Sequence, residues 1–170
     1  MAGSAPPGFP EGVAVQDRRG AFVTLESAGA LRGCIGHVPA DRPLAHVVRD
    51  MAVAAARYDP RFAPLGLDEL SAVRIEISAL TEAKPLAPLV PECIVIGRDG
   101  LLLRRGDAMG LLLPQVAVEY GWSAVAFLAA ACRKAGLTAE AWREPATRVF
   151  TFQADVFGES GDLGGRAGGA

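Results

Sequence analysis

Between residues 73 and 80 the chain reads VRIEISAL, apolar and polar by turns. A period of two marks a strand with one buried face, here Val73, Ile75, Ile77 and Ala79. The same kind of segment opens the molecule in AFVTLE (21–26) and ALRGCIGHV (30–38), and the SAG between them, with Gly29 in the turn, predicts a β-hairpin. The period then lengthens. In ADRPLAHVVRDMAVAAARY (40–58), Leu44, Val47, Val48, Met51 and Ala55 form one helical stripe, and Arg49, Asp50 and Arg57 fall off it. Asp41 is the expected N-cap and Pro43 suits the first turn. Pro60 ends the helix, because the residue before a proline is pushed out of the α region.

A proline-rich link, KPLAPLVP (84–91), leads into CIVIG (93–97), a turn at RDG, and the runs LLLRR (101–105) and GLLLP (110–114), which together predict a short meander. Ser123 is placed to cap a helix over 124–135, apolar nearly all round and so buried, with Gly136 as its C′ residue. A last alternating run sets Phe150, Phe152, Ala154 and Val156 against Val149, Thr151, Gln153 and Asp155. Hairpin, helix, strand, meander, helix, strand is the order of an α+β domain, not of a doubly wound one.

Residues 1–19, rich in Pro and Gly and then charged, predict a flexible N-terminal arm, and the Gly-rich residues 158–170 a disordered tail, leaving 20–157 as the folded domain. A chain of 170 residues builds a core without staples. The net charge of −2 and the absence of a basic run speak against a nucleic-acid or anionic-membrane partner. The longest charge-free stretch considered, Tyr120 to Cys132, is too short to span a bilayer. With no basic-then-apolar leader, the expected location is the cytoplasm. Cys34, Cys93 and Cys132 are an odd number without C-x-x-C spacing, and the two histidines, His37 and His46, offer no ligand pattern, so neither a disulfide framework nor a metal site is expected. No phosphate loop, dinucleotide fingerprint or nucleophile elbow occurs, and no cofactor is expected.

The candidate chemistry gathers in LRGCIGH. In a regular strand Arg32 and Cys34 project together and His37 the other way, which disfavours a Cys34–His37 dyad unless the strand bulges at Gly36. A fixed positive charge at Arg32 would favour the thiolate, and Cys34 is therefore the thiol expected to react first with iodoacetamide. Gly33 and Gly36 leave room for a ligand or another backbone. In the loop YDPRF (58–62), Arg61 is a candidate anion holder oriented by Asp59, although an Asp before proline also commonly bonds its own turn. Gln115, after a strand end, is a further candidate for lining a pocket. Because cysteine often packs as a small hydrophobe, two readings stand: Cys34 as a nucleophile with Arg32 as its stabiliser, or the same strand as a binding surface with an inert thiol.

In order along the chain, GAFVTLESAGALRGCIGHV, DPRFAPL, ELSAVRIEISALT, GLLLPQVAVEYGW and KAGLTAEAW resemble the AMMECR domain family, whose bacterial and archaeal members are called AmmeMemoRadiSam system protein A. The resemblance implies a mixed or antiparallel sheet flanked by helices, in two unequal lobes with a cleft between them that takes a small-molecule or protein ligand. It also implies genomic company with a Memo-like protein and a radical-SAM protein, in a modification system whose reaction is not established. The family's most invariant stretch falls on Leu31 to Gly36, and His37 is not a fixed position. Members usually begin with a helix ahead of the FVTL strand. Here residues 1–20 carry no helical period: either the start is misassigned or that helix is absent, and in the second case a partner or a second copy of the chain, as a homodimer, is expected to cover that side of the sheet.

Overall fold

The structure is a computed structural model that describes residues 14–159. Most of the expected arm and tail, residues 1–13 and 160–170, therefore lies outside the described residues. The chain divides into two compact units: Met1–Leu80 together with Asp155–Ala170, and Thr81–Ala154.

In the first unit, β1 (Ala21–Ser27) and β2 (Ala30–His37) form the predicted hairpin, closed by Ala28 and Gly29 at φ of 51° and 76°. Two positive φ values in a two-residue loop match the right-handed twist of the flanking strands. Strand β3 (Val73–Leu80) lies along β1, and β8 (Ala154–Gly158) along β3, in the order β2-β1-β3-β8. Val23, Leu25, Ile35, Ile75 and Ile77 pack with Val48, Met51 and Ala55 of α1 (Leu44–Arg57), so the predicted stripe is the buried one. Residues 14–19, at the end of the expected arm, are tied in: Arg19 donates to the carbonyls of Ala79 and Leu80, both at 2.8 Å, and to Asp155 at 2.6 Å. Asp41 does not cap α1. Pro43 holds the N-cap position without a side-chain bond, and Asp41 turns instead to Nε2 of His37 at 2.7 Å.

The second unit carries the sheet β4-β7-β5-β6, built from β4 (Lys84–Pro85), β5 (Gly100–Arg105), β6 (Ala108–Leu112) and β7 (Arg148–Phe152). Both sheets are antiparallel, as an α+β fold with a hairpin and a meander requires. Helix α3 (Ala124–Lys134) buries Phe127, Leu128, Ala131 and Cys132 with Leu101, Leu103 and Trp142. Ser123 caps it, accepting from the Ala126 amide at 3.3 Å. Gly136, at φ 75°, closes it: its amide donates to Arg133 O and that of Leu137 to Cys132 O, both at 3.0 Å, the paired bonds of a Schellman end.

Three further expectations change. CIVIG is not a strand. A 3₁₀ turn over Pro91–Cys93 runs into a bend at Gly97, φ 85°, because the Asp99 carboxylate draws in the Val95 amide at 2.9 Å. A short helix, α2 (Pro114–Glu119), follows β6 with Pro114 in its first turn, where a missing N–H costs nothing. The last alternating run is two strands in two sheets, β7 and β8, parted at Gln153.

Each unit seats its helix on a glycine. A Cβ at Gly33 would run into the Ala55 carbonyl of α1, and a Cβ at Gly110 into the Ala131 carbonyl of α3. Backbone cannot yield as a side-chain tip can, so Gly33→Ala and Gly110→Ala should each destabilise by about 2–3 kcal/mol, the cost of overpacking a close contact. The measurement is the urea midpoint at unchanged slope; a loss below about 0.5 kcal/mol at either position would show that the helix is free to lift.

Candidate functional site

Strand β2 is the edge of its sheet, and an edge strand presents unpaired N–H and C=O groups. At Cys34 the loop after α1 takes both. The Cys34 amide donates to Asp59 Oδ2 at 2.8 Å, and Arg61 donates to the Cys34 carbonyl at 3.2 Å. The same two side chains hold each other, Arg61 giving one nitrogen to Asp59 Oδ2 at 2.6 Å and Nε to Oδ1 at 2.9 Å, while the Arg61 amide adds a third bond at 3.1 Å. The DPR segment thus stands in for a neighbouring strand. Asp59, 4% exposed, has its oxygens filled by four donors, and the Arg61 bond before all else holds its carboxyl well below the usual carboxylate range.

Arg32 is placed differently from the expectation. Leu25 pairs with Gly33 and Glu26 with Leu31, so Arg32 is the extra residue of a β-bulge and the strict alternation that set it beside Cys34 is broken there. Its guanidinium grips Glu69 as a fork, at 2.8 and 3.0 Å, and donates to the Ala63 carbonyl at 3.0 Å. The Arg32 bond and the Gly66 amide hold Glu69 down to about 2. Phe62 lies between the two forks, with Arg61 at 5.4 Å and Arg32 at 5.9 Å from its ring. The cation that meets Cys34 is Arg61. Its own pKa is raised, chiefly by the Asp59 bond and in small part by the charge of a Cys34 thiolate.

The Cys34 side chain lies with Thr24 on the sheet face opposite α1, and its sulfur accepts from the Thr24 hydroxyl at 3.4 Å. Gly33 is filled by the Ala55 carbonyl and Gly36 by the ring of Phe22, so protein atoms already occupy the room both glycines leave. No bulge occurs at Gly36, and His37 remains in the other row, on Asp41. Gln115 belongs to the Thr81–Ala154 unit, in α2. Cys34, Asp59 and Arg61 are therefore gathered at one place, Arg32 is attached to the same loop through Glu69, and Gln115 is elsewhere in the chain.

The AMMECR1 family model matches residues 4–157. The chain belongs to the AMMECR1 family. A protein of Methanothermobacter thermautotrophicus is 48% identical over 150 residues, 86% of this chain and 78% of that protein. One from Methanosarcina barkeri is 42% identical, covering 87% of this chain and 74% of its own length. The crystal structure of the uncharacterised protein PH0010 from Pyrococcus horikoshii matches with a TM-score of 0.81 and 38% identity, over 88% of this chain and 79% of that one.

Within this AMMECR1 chain the residues that the sequence reading missed are Glu69 and Phe62, which meet the arginines around the loop, and Thr24, which donates to the Cys34 sulfur. Their only signal was an acid in LDEL, a β-branched residue opposite Cys34 and an aromatic after the DPR arginine. Among the described residues no three His, Cys, Asp or Glu side chains gather as metal ligands, and no helix is long and apolar enough to cross a membrane. The thiols rank differently from the sequence expectation, since Cys93 is exposed, Cys34 half-buried and Cys132 buried with its thiol pushed up by burial. Iodoacetamide should label Cys93 first, then Cys34, and Cys132 only on unfolding. Peptide mapping that finds Cys34 ahead of Cys93 would restore an activated thiol.

Asp59→Ala removes a buried carboxylate that accepts the Cys34 amide and the Arg61 fork and leaves the strand edge uncovered, whereas Arg61 stays half in solvent, so the loss should be about 1–3 kcal/mol. Because the folded-state pKa values of Asp59 and Glu69 lie below their unfolded values, what they add to stability is present above the ordinary carboxylate range and is lost as pH falls. Unfolding free energy should therefore drop from about pH 5 to about pH 2. Glu69→Gln should flatten the upper part of that slope, where Glu69 titrates between its ordinary 4.5 and about 2. An unchanged acid profile would mean that the Arg32 fork is broken in solution.

Proposed function

We propose that the chain is a binding subunit of a modification system, presenting the Cys34 face of its four-stranded sheet to a protein partner, with the thiol taking no part in covalent chemistry. The observation that carries this reading is where the polar groups around Cys34 are directed. Nucleophilic catalysis needs a base aimed at the nucleophile and a third group orienting the base. Among the described residues the only carboxylate bonded at Cys34, Asp59, accepts from backbone and arginine through both oxygens, and the group at the sulfur is a hydroxyl that donates to it. What the latch produces is a fixed strand: Cys34 beside Thr24, with Phe22 in the next row of the same face, half-exposed and rigidly backed. Rigid, partly apolar surfaces suit protein recognition, since little entropy is lost on docking. The partners that the family resemblance supplies are a Memo-like protein and a radical-SAM protein.

A nucleophilic Cys34 is the second reading, and it rests on a guanidinium held beside the residue, Arg61 donating to the Cys34 carbonyl at 3.2 Å. Titration of the purified chain against a Memo-like and a radical-SAM protein from the same source separates the two. The binding reading expects Cys34→Ala to keep its affinity within about twofold and Thr24→Lys, on the same face, to lose roughly tenfold or more at an unchanged unfolding midpoint. Failure of both proteins to bind at micromolar concentration would overturn it, and so would a covalent adduct trapped on Cys34 and absent from Cys34→Ala.

A further inference from the structure

The Thr81–Ala154 unit contains a cavity of about 340 Å³, remote in sequence from the LRGC strand and the DPR loop, whose wall combines Thr81, Glu82, Lys84, Asp99, Thr151 and Gln153. We propose that it binds the zwitterionic head of a free α-amino acid. Asp99 is the fixed part of the wall. It is 4% exposed and takes the Arg98 fork at 2.8 and 2.9 Å and the Val95 amide at 2.9 Å, so its charge is already compensated.

The other charges are not compensated. Glu82 and Lys84 are exposed, two residues apart, opposite in sign, and in no ion pair among the described residues. One small molecule carrying an ammonium and a carboxylate on the same carbon answers both at once. Thr151 stands opposite Lys84 in the β4–β7 register, which puts its hydroxyl on the lysine's face of the sheet as a second group for the carboxylate. Thr81 accepts from the Gln153 amide at 2.8 Å, which leaves its hydroxyl proton free to donate into the cavity. The ammonium then lies toward Glu82 and the side-chain oxygen of Gln153, and the ring of Phe152 supplies an apolar wall. A ligand with only one charge meets a like charge without gaining the second partner: a carboxylate alone faces Glu82, and an amine alone faces Lys84. The volume lies at the small end of ligand pockets, which suits an amino acid rather than a nucleotide.

The test is calorimetric titration of the full chain with each of the common amino acids, and with propionate and ethylamine as single-charge probes. At least one amino acid should bind with a Kd of about 1 mM or tighter, and propionate and ethylamine at least tenfold more weakly. Lys84→Met and Glu82→Gln alter exposed side chains that bond to no other side chain among the described residues, so both variants should fold with the wild-type unfolding midpoint, and each should weaken that amino acid roughly tenfold. Cys34→Ala should leave it unchanged. No binding by any amino acid at about 10 mM, equal binding of propionate or ethylamine, or full affinity in both variants would each overturn the proposal.

Discussion

How closely a helix can approach a sheet is decided by what stands between their backbones, and at Gly33 nothing does. Because no Cβ holds it off, α1 rests with its Ala55 carbonyl against β2, only a few residues before the helix ends. That seat sets where the chain emerges. Pro60 prevents the helix from continuing, and the segment that leaves it is delivered to the edge of β2, where Asp59 and Arg61 reach the Cys34 amide and carbonyl. A larger residue at 33 would lift the helix and carry the DPR segment away with it, so the glycine of LRGC and the loop of DPRF are two ends of one constraint. Gly110 repeats the device under α3 in the other unit.

Seen this way, a motif that looks like an active-site signature in one dimension is first of all a packing solution. Gly33 makes room for a carbonyl, Gly36 for a phenyl ring, and the paired charges of the loop close a strand edge that would otherwise be open to another chain. The same bonds also fix the Cys34 backbone from both its amide and its carbonyl.

Elements ruled by period and local stereochemistry were legible in the sequence: the alternation of β3, the stripe of α1, the Ser123 cap and the Gly136 end all need only neighbouring residues to be read. Asp41, CIVIG and the bulge at Arg32 were not, and the reason is common to all three. In each, a polar side chain found a partner that linear spacing does not reveal: Asp41 took His37, Asp99 took the Val95 amide and Arg98, and Arg32 took Glu69. The attachment of Asp59 and Arg61 to the Cys34 backbone was not legible either, because it depends on β2 being an edge. The last alternating run kept its period across Gln153, and period alone carries no sign of a change of sheet.

That change of sheet gives the polypeptide an order of assembly. The first unit is interrupted in sequence, leaving at Leu80 and returning at Asp155. On a ribosome, β1, β2, α1 and β3 emerge together and can pair at once, but the outer flank of β3 has no neighbour until the whole of Thr81–Ala154 has been synthesised. A nascent chain therefore carries a bare strand for the time it takes to make the second unit, and Arg19, waiting with the β3 carbonyls already in hand, becomes the clasp that closes on Asp155 when the final strand arrives.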